Sequence, residues 1–202
     1  MIRTRIDSSS LAILPVVKGL VSEGDAVLKA YDEVAPDVIA LSISREELVG
    51  LRQREDYDKY EPSDLEIIYQ AFLERFGEVR LPPPAYVTAL ELSEQKNIPI
   101  IPLDMSDEAY TEAYCEHVST GDMIRESFFA RRATGKQYDL SSPCAFAISW
   151  DKRVNKAKGF RELELAREMH IATALRNLAR NYRNILAVVE CERADGVSAL
   201  LS

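Results

Sequence analysis

Residues 161–197, RELELAREMHIATALRNLARNYRNILAVVECERADGV, decide the fold of this chain. The first half has almost no helix-breaking residues, and its apolar side chains recur every three or four positions, as one face of a helix requires. The residues expected on that face are Leu165, Met169, Ala172, Leu175, Leu178 and Tyr182. The second half contains the unbroken apolar run 185–189 (ILAVV), which is typical of a strand buried on both faces. The stretch therefore predicts a long helix followed by a buried strand of a parallel sheet.

This strand leads into an expected charged loop that contains Glu190, Cys191, Glu192, Arg193 and Asp195. In an open α/β sheet, ligands bind beyond the carboxyl ends of the strands. The loop is therefore the expected position of a functional site.

Two further strands precede this stretch. Residues 11–17 (LAILPVV) predict a buried strand weakened by Pro15, which favours a sheet edge or a bulge. Residues 37–43 (DVIALSI) predict the next strand, and the helix between them can be capped by Ser22 and is ended by Pro36. The three elements form a βαβ unit, the usual connection of a parallel strand pair.

The middle of the chain is predicted to be mainly helical. Helices capped by Ser44 and Ser63 flank the polar segment 55–61, which is interpreted as a solvated connection, with a partner contact as the alternative. A third strand, 98–103 (IPIIPL), ends at Asp104.

A helical hairpin hinged at Gly121 and a helix started by Ser142 and Pro143 follow the third strand. We predict one α/β domain over residues 1–202, with a small, mostly parallel sheet covered by helices and a helical insertion over about 52–136. A chain of 202 residues can bury the core of such a domain without disulfides or structural metals.

Composition excludes several classes of protein. The net charge of -8 argues against a nucleic-acid partner, because phosphate contacts need a clustered excess of Lys and Arg. The one basic concentration, residues 152–158, is interpreted as a solvated helix face. Cys115, Cys144 and Cys191 are odd in number and form no Cys-x-x-Cys pair, so we expect reduced thiols in a cytoplasmic protein. No apolar run approaches the ~18 residues that span a bilayer, so no membrane association is expected from this chain.

The helix and strand of residues 161–197 resemble those of the TraB-like family, whose wider superfamily includes the Tiki metalloproteases, the ChaN haem-binding proteins and the erythromycin esterases. The family carries an Arg-Asp-x-x-Met-Ala pattern on a long helix, where this chain has Arg167, Glu168, Ile171 and Ala172. The family strand then closes in Val-Val-Gly-x-Gly-His, where this chain has Glu190, Cys191, Glu192 and Arg193. Both glycines and the histidine are thus replaced, and only Gly196 of the following turn agrees.

The resemblance extends to the βαβ unit. Pro36 and Asp37 fall on a Pro-Asp pair of the family, whereas residues 17–20 replace its Gly-Thr-x-His motif and Ser42 replaces its glutamate. After the third strand the family has an Asp-Arg pair, of which this chain keeps Asp104 only. The resemblance implies a TraB-like scaffold without the histidine-based metal site of the family.

Carboxylates at the strand ends form the main candidate site: Glu190, Glu192 and Asp104, with Asp195 nearby and Arg167 as their cationic partner. Carboxylates held together raise each other's proton affinity, so they can act as acid and base or bind a hard cation such as Mg²⁺. The simpler alternative is that they are solvated charges or ion-pair partners of Arg167 and Arg193. Whether a metal or cofactor binds here stays open.

Histidine ligation of a metal or cofactor is not expected. His117 and Cys115 are two residues apart on a helix and point to different faces, and His170 is interpreted as a half-buried packing residue. Cys191 has no evident histidine to activate it, so a passive thiol is preferred over a nucleophile.

These features favour a TraB-like binding or regulatory module that has lost catalysis and acts through a homo-oligomer or another protein. The alternative is a hydrolase, with or without a metal, whose site is rebuilt from Glu190, Glu192, Asp104 and Arg167.

Overall fold

The computed structural model describes residues 1–53, 62–130 and 132–202 and shows an α/β protein built on a five-stranded sheet. The strands are β1 Ile2–Ile6, β2 Ser9–Val16, β3 Val38–Leu41, β4 Ile100–Pro102 and β5 Asn184–Glu190. Their spatial order is β1-β2-β5-β3-β4, in which β1 is antiparallel to β2 and all other neighbours are parallel. The predicted fold class is confirmed.

Helices cover both faces of the sheet. They are α1 Ser22–Val34, α2 Arg45–Arg52, α3 Asp64–Leu73, α4 Pro84–Lys96, α5 Asp107–His117, α6 Thr120–Ala130, α7 Pro143–Val154, α8 Lys158–Leu178 and α9 Cys191–Leu201, with a short 3-10 turn at Ala133–Gly135. α1, α2 and α4 pack on one face, and α8 and α9 pack on the other. Within the described ranges, no helix combines the length and the apolar character needed to cross a membrane.

The predicted buried strand 185–189 is confirmed and occupies the centre of the sheet as β5. Leu186 and Val188 pack under α1 and α4, whereas Ile185, Ala187 and Val189 pack under α8 and α9. The prediction that β2 and β3 form a neighbouring parallel pair is wrong, because β5 lies between them and pairs with both. A strand with apolar side chains on both faces loses most water contact in the middle of the sheet, which explains this order.

The amino-terminal strand β1 was not predicted, and it changes the interpretation of Pro15. β2 is an interior strand, paired with β1 on one side and β5 on the other. The pairing with β1 stops at Ile13, so Pro15 lies beyond the end of β1 and removes no donor from that ladder. Pro15 therefore lies where one side of β2 has no neighbouring strand, although β2 as a whole is an interior strand, and no bulge interrupts its pairing with β5.

The predicted buried face of α8 is wrong in its first half. Leu165 and Met169 are 49% and 53% exposed. The buried side chains of this helix are Phe160, Leu163, Ile171, Ala172, Leu175 and Leu178. The inward stripe is apolar at both ends but carries Glu164 and Arg167 in the middle, so the apolar period alone could not locate it.

Helix starts were predicted well where a serine caps them. Ser44, Ser63 and Ser142 each accept a backbone hydrogen bond as caps of α2, α3 and α7. The prediction for Ser22 is wrong, since α1 has Val21 at its cap position without a side-chain bond. The segment 55–61 lies outside the described residues, and the single-domain assignment stays a prediction.

The hairpin hinge is also displaced from its predicted position. α5 ends at His117 and α6 begins at Thr120, so Gly121 belongs to α6 and the turn lies at Val118 and Ser119. This turn packs against the start of α8 at Gly159. A Cβ on Gly159 would lie 2.4 Å from the carbonyl oxygen of His117.

We expect Gly159→Ala to lower the free energy of unfolding by roughly 1 to 3 kcal/mol, because backbone cannot move aside as a flexible side chain can. The matched control is Gly50→Ala in α2, where a Cβ would meet nothing within 4 Å. That change should raise stability by up to about 1 kcal/mol through helix propensity. Urea unfolding measures both, and a stabilising Gly159→Ala would contradict the packing of the hairpin turn against α8.

Candidate functional site

The carboxyl ends of β2, β5, β3 and β4 meet at one edge of the sheet. Glu190 is the last residue of β5, Ser42 follows β3, and Asp104 follows β4. The chain does not continue from Glu190 into a loop, as predicted, but directly into α9 at Cys191. Glu192 and Arg193 therefore lie in the first turn of a helix, and strand alternation does not apply to them.

Glu190 is buried and fully engaged. Its carboxylate accepts a short hydrogen bond from the Ser42 hydroxyl, and its backbone N–H donates to the same hydroxyl at 3.3 Å. Burial would raise the pKa of Glu190, but the positive charges of Arg193 and Lys18 and the Ser42 bond outweigh it and hold the pKa below its usual value. Glu190 is thus ionised at neutral pH.

Arg193 is the buried cation beside Glu190. Its Nη2 bonds Glu164 Oε2 at 2.6 Å, and its Nη1 lies 3.6 Å from Glu190 Oε2 and 4.0 Å from Glu192 Oε1. Burial pulls the pKa of Arg193 down, yet the surrounding carboxylates raise it above its usual value. Its Nε is buried without a hydrogen-bond partner among the described residues.

Arg167 forms a second bridge between carboxylates. Its Nη2 lies 2.5 Å from Asp104 Oδ2, and its Nη1 lies 3.1 Å from Glu164 Oε1. The side chains of Arg167 and Asp104 are only 18% and 4% exposed, so water screens this pair little. The guanidinium also lies 5.6 Å from the centre of the Tyr110 ring.

These contacts form one continuous charge network, in the order Asp104, Arg167, Glu164, Arg193, Glu190 and Ser42. It connects β4, α8, α9, β5 and the end of β3. The structure thus places the predicted Asp104, Arg167 and Glu190 in one network, in which Asp104 pairs with Arg167 and Glu190 pairs with Arg193. Glu164, which joins the two arginines, was missed; its one sequence signal is its position three residues before Arg167 on the same helix face.

Glu192 lies beside the charge network, whereas Asp195 is exposed and lies outside it. Burial raises the pKa of Glu192 to about 7, with Arg193 opposing the rise and Glu190 adding to it. A carboxyl group that is half protonated near neutral pH, next to an ionised one, has the character of an acid–base pair.

The raised pKa of Glu192 predicts a pH dependence of stability. Because the folded state favours the protonated form, this group contributes stability that is present below the usual carboxyl pKa of 4.5 and is lost as the pH rises through about 7. Glu192→Gln should match the wild type near pH 4 and exceed its free energy of unfolding near pH 8, by up to about 3 kcal/mol. Urea unfolding across this range tests it, and a difference that does not change with pH would contradict it.

An aromatic cluster covers the ends of β2 and β5. Its rings come from α3 and the residues just after it, from α6 and α7, and from the segment between α6 and α7. The cluster packs on Val17 and Cys191, which follow those strands. The rings are Tyr69, Phe72, Phe76, Phe129, Tyr138, Phe146 and Trp150. The hydroxyl group of Tyr69 lies near the carboxylates of Glu192 and Glu190. Burial and these two negative charges raise the pKa of Tyr69, so its hydroxyl group is neutral.

The predicted reduced thiols are contradicted at two positions. Cys144 of α7 and Cys191 of α9 form a disulfide, with their Cα atoms 5.7 Å apart, and Cys115 is free and exposed. Cys191 is therefore neither a free passive thiol nor a nucleophile. Its partner is 47 residues away along the chain, and no local motif indicates such a pairing.

The histidines, on α5 and α8, form none of the ion pairs of the charge network. His170 is exposed, which corrects its interpretation as a packing residue, and His117 is partly exposed. Among the residues that the structure describes, no group of three or more His, Cys, Asp and Glu side chains has a metal-binding arrangement. A pocket of about 250 Å³ adjoins the charge network at Asp104, Tyr110 and Arg167.

The chain matches no protein-family model, and no curated protein is similar enough to match it. The TraB-like resemblance therefore stays a prediction.

Proposed function

We propose that this chain is a binding or regulatory module on a TraB-like scaffold, in which the strand ends hold a structural charge network in place of a catalytic centre. The supporting observation is that both buried arginines bridge carboxylates of the chain itself. Arg167 lies between Asp104 and Glu164, and Arg193 lies between Glu164 and Glu190. Such a network stabilises one arrangement of the strands and helices and leaves few groups free for a substrate.

The residues that replace the histidine and glutamate of the family pattern support this proposal. Arg193 stands where the family pattern has its histidine, and Ser42 stands where it has its glutamate. In this chain the carboxylate comes instead from Glu190 on the neighbouring strand, and it bonds Ser42. The exchanged residues thus support one another as structural partners.

A partner surface is offered by α6. Ile124 and Phe128 are four residues apart, so they share a helix face, and they are 53% and 57% exposed. Exposed large apolar side chains on one face are typical of protein contacts, and the partner is a second copy of the chain or another protein.

Self-association is measured by sedimentation equilibrium. We expect a dimer that Phe128→Asp dissociates, whereas Ile67→Asp on α3, where the side chain is also exposed, leaves it intact. A wild type that stays monomeric at all accessible concentrations would remove the homo-oligomer from this proposal.

The alternative function is a hydrolase that uses Glu192 and Glu190 as acid and base. It is favoured by one observation, the pKa of Glu192 near 7 beside the lowered pKa of Glu190. The two functions are separated by assaying esters, phosphate esters and peptides with and without Mg²⁺, Mn²⁺ or Zn²⁺. If the chain is a binding module, we expect no turnover that depends on Glu190 or Glu192. Turnover that Glu190→Gln or Glu192→Gln abolishes would establish the hydrolase.

A further inference from the structure

A pocket of about 350 Å³ lies between α6 and the junction of α7 with α8, separate from the charge network. Its floor is apolar, formed by Phe129 and Val154, and three cationic side chains surround it: Arg125, Arg153 and Lys156. A volume of this size is in the range of small-ligand sites.

None of the three cations forms a salt bridge within the described part of the chain, although the chain carries a net charge of -8. The neighbouring cations behave differently: Lys158 pairs with Glu162 at 3.4 Å, and Arg161 donates to the carbonyl oxygen of Lys156. The positive charges around this pocket are therefore not neutralised by salt bridges within the described residues.

One acidic side chain, Glu126, also lines the pocket, and burial raises the pKa of its carboxyl group. Three cations against one carboxyl group leave the lining with a net positive charge. Arg153 lies over the Tyr138 ring, 5.7 Å from its centre. Hydrogen bonds from Ser119 lower the pKa of Asp122, and the charge of Arg125 contributes to the same shift. The Asp122 carboxylate is already bonded to Ser119, so it is not a partner for Arg125 in the pocket.

We propose that this pocket binds a small organic anion, with the anionic group held by Arg125, Arg153 and Lys156 and an apolar body packed on Phe129 and Val154. Arginine and lysine side chains bind phosphate or carboxylate oxygens through charge-assisted hydrogen bonds. The apolar floor favours an anion that carries an apolar group over an inorganic anion. The basic stretch 152–158 is thus a binding surface in part, rather than only a solvated helix face. This site does not depend on the proposed function of the charge network.

The chain contains its own probe for this site. Trp150, the one tryptophan in the sequence, lies in α7 with its ring centre 6.2 Å from that of Phe129 on the pocket floor. We would titrate phenyl phosphate and follow Trp150 fluorescence, with inorganic phosphate and phenol as comparisons that carry only the charge or only the ring. Calorimetry on the same samples detects any binding that the indole does not sense.

Phenyl phosphate should bind saturably, with an affinity of about millimolar or better, and more tightly than either comparison compound. Lys156→Ala and Arg153→Ala should each weaken binding about tenfold, through loss of a charge-assisted bond. Lys152→Ala is the matched control, because Lys152 is exposed in the same stretch but does not line the pocket, and it should change the affinity by less than about twofold. Glu126→Gln should tighten binding by removing the one negative charge.

No saturable binding, or equal weakening by Lys152→Ala and Lys156→Ala, would overturn the proposal. The substituted cations are exposed surface residues, and circular dichroism confirms that the variants are folded. Hydrolase assays and self-association do not enter this test, so its failure would leave the proposed function of the charge network unaffected.

Discussion

Replacing Arg193 with methionine should lower the free energy of unfolding by about 3 to 5 kcal/mol. Arg193 is the one described cation that contacts both Glu164 and Glu190. Methionine fills much of the same space, but it leaves these two carboxylates buried without their common partner. Removing one member of a buried pair is costly for this reason, even where the intact pair contributes little.

Urea unfolding gives the measurement, and the exposed pair Arg3 and Glu33 gives its control. The Nη2 atom of Arg3 lies 2.6 Å from Glu33, the same distance as between Arg193 and Glu164. The side chains of the surface pair are 54% and 59% exposed, so Arg3→Met should cost less than about 1 kcal/mol. Equal losses in the two variants would show that burial does not set the strength of the charge network.

Replacing Phe146 with alanine should lower the free energy of unfolding by about 3 to 5 kcal/mol. Phe146 is fully buried at the centre of the aromatic cluster. Its ring centre lies 5.2 to 6.2 Å from those of Tyr69, Phe72, Phe76, Tyr138 and Trp150. The substitution removes all these contacts and leaves a cavity above the ends of β2 and β5, which the surrounding rings fill only in part.

Ile67→Ala is the control, since Ile67 is also a large apolar residue but is 51% exposed and lies outside the proposed partner surface. It should change the free energy of unfolding by less than about 1 kcal/mol. Unfolding should be followed by circular dichroism, because Trp150 belongs to the same cluster and its fluorescence changes directly. A loss below about 1 kcal/mol for Phe146→Ala would contradict the packing of the aromatic cluster.

The elements that could be predicted are those specified by local patterns. The apolar run 185–189 indicates β5 because a strand buried on both faces needs apolar side chains at every position. Ser44, Ser63 and Ser142 indicate helix starts because a serine hydroxyl satisfies a free backbone N–H within one turn. Both signals span only a few residues, so they can be recognised in the sequence itself.

The features that could not be predicted depend on distant contacts. β1 has only five residues, and it is a strand because β2 lies beside it. The order of the strands depends on which of them buries the most surface, which no single segment specifies. The disulfide of Cys144 and Cys191 joins residues that come together only after α7 and α9 have packed.

The candidate site could be predicted in part from the sequence. Asp104 and Glu190 are predicted to lie together because strand ends meet at one edge of a parallel sheet, and Arg167 joins them as the cation of the family-like helix pattern. Glu164 was missed because a glutamate in a long helix is usually solvated, and its burial depends on two arginines that neutralise it. Glu164 and Arg167 also occupy inward positions of α8 where apolar residues are expected, so the apolar pattern alone does not identify the inward face of this helix.

A double-mutant cycle between Arg193→Met and Glu164→Gln, followed by urea unfolding, is the most direct measurement of whether the strand ends hold a structural network. The charge network predicts a coupling free energy of at least about 1.5 kcal/mol, because the second substitution costs little once its partner has gone. Two effects that add within about 0.5 kcal/mol would mean that these residues act independently, and would contradict it.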